Sequence, residues 1–171
     1  MLIVYPTAPR RGVLQFDDME FPCALGSAGV RKTKHEGDGA TPVGTFQLRR
    51  VFYRADRLPE PACQLPVRAL TPQDGWCDDP NHGAYNRLVE LPFEGSHEVL
   101  WREDDLYDVI VVIGHNDDPP HAPLGSAIFL HCATADYSPT QGCVALARDA
   151  LIDLVPRLSP GMALRVMAAK A

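Results

Sequence analysis

The sequence is short of positive charge: 16 Lys and Arg stand against 22 Asp and Glu, for a net charge of -6. The arginines are scattered, so there is no basic stripe to neutralise a phosphate backbone, and nucleic acid is excluded as the expected partner. No C-x-x-C pair is present among the five cysteines, at 23, 63, 77, 132 and 143. Such spacing offers no redox or zinc motif, and an odd number cannot all pair within one chain. Long apolar runs are missing too. Nothing approaches the roughly 20 residues needed to cross a bilayer. Only Leu2–Tyr5 precede Pro6, short of the roughly 7–15-residue apolar region of a signal peptide, so the chain as written is expected in the cytoplasm. There is no internal repeat and no low-complexity tract.

What is present is an ordinary globular composition, 46% hydrophobic and 22% charged over 171 residues. That is enough to bury one core without disulfides, and residues 1–171 are expected to form a single domain. Short apolar or alternating runs recur at Leu2–Tyr5, Val13–Phe16, Phe21–Leu25, Thr45–Tyr53, Arg87–Leu91, Tyr107–Ile113, Ala127–Ala133 and Met162–Met167. Gly, Pro and Asp clusters such as "EGDGATPVG" and "HNDDPPHAPLG" separate them, which predicts a mainly β fold. One stretch, "LARDALIDLVPRL", has helical period, with Leu146, Ala150, Leu151, Leu154, Val155 and Leu158 on one side and Arg148, Asp149 and Asp153 elsewhere. Pro156 is expected to kink this helix or end it early. The Pro- and Asp-rich middle, "RADRLPEPACQLPVRALTPQDGWCDDPNHGAYNR", lacks periodicity and reads as loop and irregular edge. "RKTKHEGDG" reads as a solvated charged turn.

Two residues draw attention as chemistry. "SAIFLHCA" reads as a buried strand that delivers His131 at its downstream end, and Cys143 follows in the turn "PTQGCVAL". A thiol reacts only as thiolate and needs a base or positive field beside it. A strand-end histidine supplies the base, whereas a helix starting near Ala147 lies a turn too late to add much field. Gly142 lets substrate approach the backbone, so the amides of Gly142 and Cys143 are candidate oxyanion donors. On residues alone, Cys143 remains a core thiol, a metal ligand or a nucleophile. His131, Cys132, Cys143 and His115 carry zinc-ligand chemistry, but adjacent strand residues point to opposite faces, which argues against a metal. His115, ending "VVIGH", is a candidate to line the same cleft. Trp76 and Tyr85, in "DGWCDDPNHGAYNR", suit a polar peptide or sugar and equally suit a self-packed loop.

The pattern resembles the L,D-transpeptidase catalytic domain, the YkuD family. Thr41, Pro42, Gly44 and Phe46 match a T-P-x-G-x-F element, His131 the strand-end histidine, and Thr140, Gly142, Cys143 and Val144 an [ST]-x-G-C-[IV] turn. The resemblance runs from about Leu2 to Met167. It implies a β-sandwich or barrel of mixed strands with one or two short helices, the clearest after Cys143. It also implies a cofactor-free acyl transfer in which Cys143 attacks a peptidoglycan stem peptide, His131 serves as general base and then acid, and Thr140, Gln141 and Gly142 shape the turn. Hydrolysis by the same acyl-enzyme, as a carboxypeptidase or amidase, is the alternative, with a non-catalytic peptidoglycan-binding module beyond it. A cell-envelope location is what the resemblance implies, against the cytoplasmic reading of the N-terminus. Three positions depart from the family: Gln141 replaces the usual His, Ala145 the usual Arg or Asn, and Cys132 the frequent Gly or Ser. Arg148, or a group from the long middle segment, is the candidate to replace the polar group lost at Ala145.

Overall fold

A computed structural model of the protein describes residues 1–169. The strands are β1 (Leu2–Ala8), β2 (Arg11–Phe16), β3 (Met19–Ala24), β4 (Val30–Arg31), β5 (Thr41–Pro42), β6 (Gly44–Tyr53), β7 (Val67–Ala69), β8 (Asp74–Cys77), β9 (Leu88–Glu90), β10 (His97–Val99), β11 (Val109–Ile113), β12 (Phe129–Cys132) and β13 (Val144–Leu146). Among the described residues, a single helix, α1 (Arg148–Leu154), a 3-10 turn at Val155–Arg157 and β14 (Ala163–Val166) follow.

One mixed sheet runs β11-β12-β13-β3-β2-β1-β14-β6, and β6 pairs back onto β11, so these strands close into a barrel with β7 flanking β6. The length of β6 makes the closure. Its first residues, Gly44–Gln47, pair with β14, and Leu48–Tyr53 pair with β11 on the other edge. β1–β14 and β12–β13 are parallel and the other pairings around the ring antiparallel. A closed ring leaves no free edge for aberrant strand pairing.

β11, "VIVVI", is buried at every residue because it is covered on both sides. Side chains alternate across a strand. Val109, Val111 and Ile113 enter the barrel interior with Leu2, Val4, Leu14, Leu130, Cys132 and Leu146, while Ile110 and Val112 point outward. β8, between β10 and β9, forms a small antiparallel sheet. This cap contributes Trp76, and with Leu70, Leu100 and Tyr107 it covers Phe52, Ile110, Val112 and Phe129 on the outer wall. Phe129, fully buried, sits at the centre of that layer. Truncating such a phenylalanine to Ala typically costs about 3–5 kcal/mol.

Each of the eight apolar runs contains or largely overlaps a strand. The helix is shorter than its periodicity: α1 ends at Leu154 and the chain tightens into the 3-10 turn containing Pro156. Proline cannot donate the next backbone bond and its ring crowds the preceding turn. Leu151 and Leu154 seal the barrel interior. Two expectations need correction. The apolar residues Val144–Leu146 form a strand, held by β12 on one side and β3 on the other. The middle segment is not all loop: β7 and β8 lie in it, with β9 at its end. At three or four residues each, with Asp74 and Gly75 inside β8, these strands are too short for a period to register. All five cysteines are free, and no helix among the described residues is long and apolar enough to cross a membrane.

Candidate active site

Sheet register assembles the site. His131 pairs with Ala145 on β13 and with Ile110 on β11, which pairs in turn with Phe52. Two residues earlier on the same outer face, Phe129 pairs with Val112, and its N–H donates to Cys143 Sγ at 3.3 Å. His131 and Cys143 are thus brought over neighbouring strands on the outer wall, whereas Cys132 turns into the barrel interior. The opposite faces expected of His131 and Cys132 are observed.

The turn carrying Cys143 is held by two threonines. Thr140 Oγ1 donates to the Cys143 carbonyl at 2.7 Å and accepts from Gly142 N–H at 3.1 Å. Thr41, fully buried, donates to the same carbonyl at 3.4 Å and accepts from Gly26 N–H at 2.8 Å. Thr140 also exchanges backbone bonds with the Leu25–Ser27 segment. The T-P-x-G-x-F element therefore supports the cysteine turn from beneath. Gly142 has φ of 137°, and a Cβ there would lie 2.8 Å from the Ala40 carbonyl oxygen, so this conformation and this space admit glycine alone. Since the Gly142 N–H is taken by Thr140, the Cys143 N–H is the better placed of the two expected oxyanion donors.

Cys143 and His131 line one cavity of about 640 Å³, with Thr140 and Gln141 at its rim. The thiol donates to the Ala127 carbonyl at 3.2 Å. His131 Nδ1 lies 2.8 Å from the Cys132 carbonyl. A carbonyl only accepts, so the proton sits on Nδ1 and leaves Nε2 with a free lone pair. The ring also meets Tyr107 edge-on at 5.2 Å. Burial and, secondarily, the Glu98 carboxylate push the thiol up to about 12, while burial pushes His131 down to about 4. Both groups are therefore neutral near pH 7, and the resting pair is thiol plus imidazole rather than an ion pair.

The other candidates fall elsewhere. Arg148 Nε binds Asp108 Oδ2 at 2.8 Å, alongside Arg57, and does not line the cavity. Asp108 is almost fully buried and recruits both guanidinium groups, which is why Arg148 cannot replace a group lost at Ala145. Ala145 itself is buried beside His131 in the sheet, so a polar side chain there would flank the imidazole; here the Cys132 carbonyl and the Tyr107 ring hold it. Trp76 packs edge-on against Phe129 and donates to Asn86 Oδ1 at 2.9 Å, inside the layer. Tyr85 is buried, and its hydroxyl donates to Glu36 Oε2 at 2.5 Å; it supports the cavity wall without lining it. His115 packs against Phe46 and contacts the Leu124 carbonyl at 3.0 Å. Among the described residues, no group of three or more His, Cys, Asp or Glu side chains is placed to hold a metal ion.

Several wall residues escaped the sequence reading. Lys34 is buried and bound to Asp38 at 2.5 Å, and Glu36 faces the cavity, so "RKTKHEGDG" is a wall segment rather than a solvated turn. Asp78, Glu98, Arg102 and Tyr107 come from the cap and its approach to β11. Tyr107 donates its hydroxyl to Glu98, whose carboxyl burial pushes up. None of these carries a local motif. The only available signal is the density of charged residues within a segment that also contains cap apolars.

The family model for the L,D-transpeptidase catalytic domain (YkuD) matches residues 7–166. Among solved structures, the crystal structure of Mycobacterium tuberculosis L,D-transpeptidase 1 aligns at 13% identity with a TM-score of 0.42, covering 98% of this chain and 59% of that one. The chain thus spans 59% of that protein's length. Comparison with curated proteins gives no match.

Proposed function

The chain belongs to the YkuD family of L,D-transpeptidase catalytic domains, and from that premise we propose that it is a cysteine acyltransferase acting on peptidoglycan stem peptides. One observation carries the reading: Cys143 and a histidine with a free Nε2 line a single substrate-sized cavity. When a stem peptide enters, the thiol proton passes to His131 Nε2 and sulfur forms a bond to the carbonyl carbon of the third residue. The tetrahedral oxygen accepts from the Cys143 N–H. Collapse breaks the bond to the terminal D-amino acid, whose amine takes the proton back from the imidazolium. An acceptor amine then attacks the thioester, His131 takes its proton, and sulfur leaves as the thiol.

The wall charge favours an amine as acceptor. Glu36, Asp78 and Glu98 line the cavity beside two cations, Lys34 and Arg102, that are already held by Asp38 and Asp104, and Asp78 Oδ1 is buried without a hydrogen-bond partner. A carboxylate oxygen in that state suits an incoming ammonium group. Because the substrate is a cell-wall fragment, the proposed place of action is the cell envelope.

The test is intact-mass measurement after incubation with tetrapeptide muropeptides, followed by mass analysis of the products. The expected result is an acyl adduct on Cys143 and cross-linked muropeptides. Absence of any adduct with a folded protein would overturn the acyltransferase, and an adduct yielding only shortened stems would make the enzyme a hydrolase.

A further inference from the structure

A second cavity, of about 310 Å³, opens between cap and barrel on the other side of Phe129. Sheet order explains the separation. The cysteine cavity lies over β12 and β13, whereas this one lies over β11 and β6. Its floor is apolar: Phe52, Val112, Ile128, Phe129 and Trp76. Its rim carries Arg49, Arg50 and Arg87 against one carboxylate, Asp117. Asp117 is already held by Arg49, at 2.7 and 3.1 Å. Among the described residues, Arg50 and Arg87 have no carboxylate partner. Two unpaired guanidinium groups above an aromatic floor, on a chain of net charge -6, are complementary to an anionic head on an apolar body.

The back wall of this cavity is also what holds the thiol. Phe129 donates its N–H to Cys143 Sγ. Asn86, fixed by Trp76 Nε1, accepts from the N–H of Ala127, whose carbonyl receives the thiol proton. The geometry points to a second ligand site, for an amphiphilic monoanion bound between Arg50 and Arg87, whose occupancy is felt at Cys143 through Phe129 and Asn86. A ligand packed on the Phe129 ring clamps both hydrogen bonds of the sulfur and keeps the thiol in its resting arrangement. The site and its coupling do not depend on the peptidoglycan reading.

The experiment uses 1-anilinonaphthalene-8-sulfonate as probe and its neutral relative N-phenyl-1-naphthylamine as control. The sulfonate should bind saturably, one per chain, and the double variant Arg50→Gln/Arg87→Gln should weaken it about tenfold or more, the effect of losing charge-assisted contacts. Binding of the neutral control should not change in that variant. Protein carbamidomethylated at Cys143 should still bind the sulfonate, weakened by no more than about fivefold, because coupling between sites is reciprocal. Iodoacetamide modification of Cys143, followed by site-resolved peptide mass, should slow about fivefold at saturating probe, within the usual range of coupling between sites. Equal binding by the double variant, or loss of binding on carbamidomethylation, would overturn the site; an unchanged modification rate at saturation would overturn the coupling. Both arginines are exposed, so the variant keeps the fold, and muropeptide turnover without probe should remain as in the parent.

Discussion

The barrel interior and the layer between barrel and cap are built from the same strands, and they differ in what they tolerate. The interior is lined by Leu2, Val4, Leu14, Val111, Leu130, Cys132, Leu164 and their neighbours, and is closed by α1. The layer mixes Phe52, Ile110 and Phe129 with Trp76, Tyr107 and Cys143, borders His131 and Glu98, and opens into both cavities. A polar group buried in the interior without a partner costs roughly 2–7 kcal/mol. In the layer polar groups find partners nearby, as Tyr107 finds Glu98 and Trp76 finds Asn86, with Asp78 Oδ1 the exception. β12 shows the division within two residues: His131 faces the cavity and Cys132 the barrel interior.

The sharpest way to break that division is to truncate one cysteine on each side. Cys143→Ala should abolish muropeptide conversion, a loss of at least about 10⁴-fold, with an unchanged circular dichroism spectrum. Cys132→Ala should keep turnover within about threefold and lower stability by about 1 kcal/mol through a small interior cavity. If Cys132→Ala were the inactive variant, the assignment of faces would be wrong.

A second test uses the burial of His131. Its folded value is pushed down to about 4, against about 6.5 for an unperturbed histidine. Between those values the unfolded chain binds a proton that the native state refuses, so stability rises with pH across the window and is lost as pH falls from 6.5 to 4. The contribution amounts to about 3 kcal/mol. Urea midpoints of His131→Phe should therefore change less over that window than those of the parent. Identical slopes would mean that the layer hydrates the ring even at rest.

Gly142→Ala probes the turn between the two regions. With φ of 137° and the Ala40 carbonyl oxygen 2.8 Å from a new Cβ, the turn must shift. The strain is about 1–3 kcal/mol, and displacement of the sulfur should lower kcat about 10²-fold with a smaller effect on Tm. An active Gly142→Ala would show that the thiol position is not set by this turn.

Legibility in the sequence followed the same division. β6, β11, β12 and β14 announce themselves because a wall buried on one or both faces needs consecutive or alternating apolar residues, and Leu48–Tyr53 and Val109–Ile113 supply them. His131 at a strand end and Cys143 beside a turn glycine are legible as positions, and the family pattern supplies the roles proposed for them. The cap was not. β8 is "DGWC" and β10 is "HEV", fragments held by cross-strand bonds and by Trp76 packing on Phe129, with no local period to read. The cavity wall was hidden for a related reason. Lys34, Glu36 and Glu98 look like surface charges until distant segments fold over them. Trp76 and Tyr85 were singled out for residue type, yet their polar tips are spent on Asn86 and Glu36.

Arg148 gives the smallest expected effect and the finest test of the boundary. Its guanidinium shares Asp108 with Arg57, each at 2.8 Å, and its side chain is about one-third exposed. Removing it in Arg148→Met leaves the buried carboxylate one cationic partner, so Asp108 is not stranded. The loss should be about 1 kcal/mol, well below that of stripping a buried ion of its last partner. Because Arg148 lies outside the cavity, KM for muropeptides should not move, and kcat should follow only through the anchoring of β11 beside His131. Asp108→Asn should cost more, since both guanidinium groups then face a neutral amide. A rise in KM for Arg148→Met with Tm unchanged would place this arginine on the substrate path and shift the edge of the functional layer past β13 onto the helix.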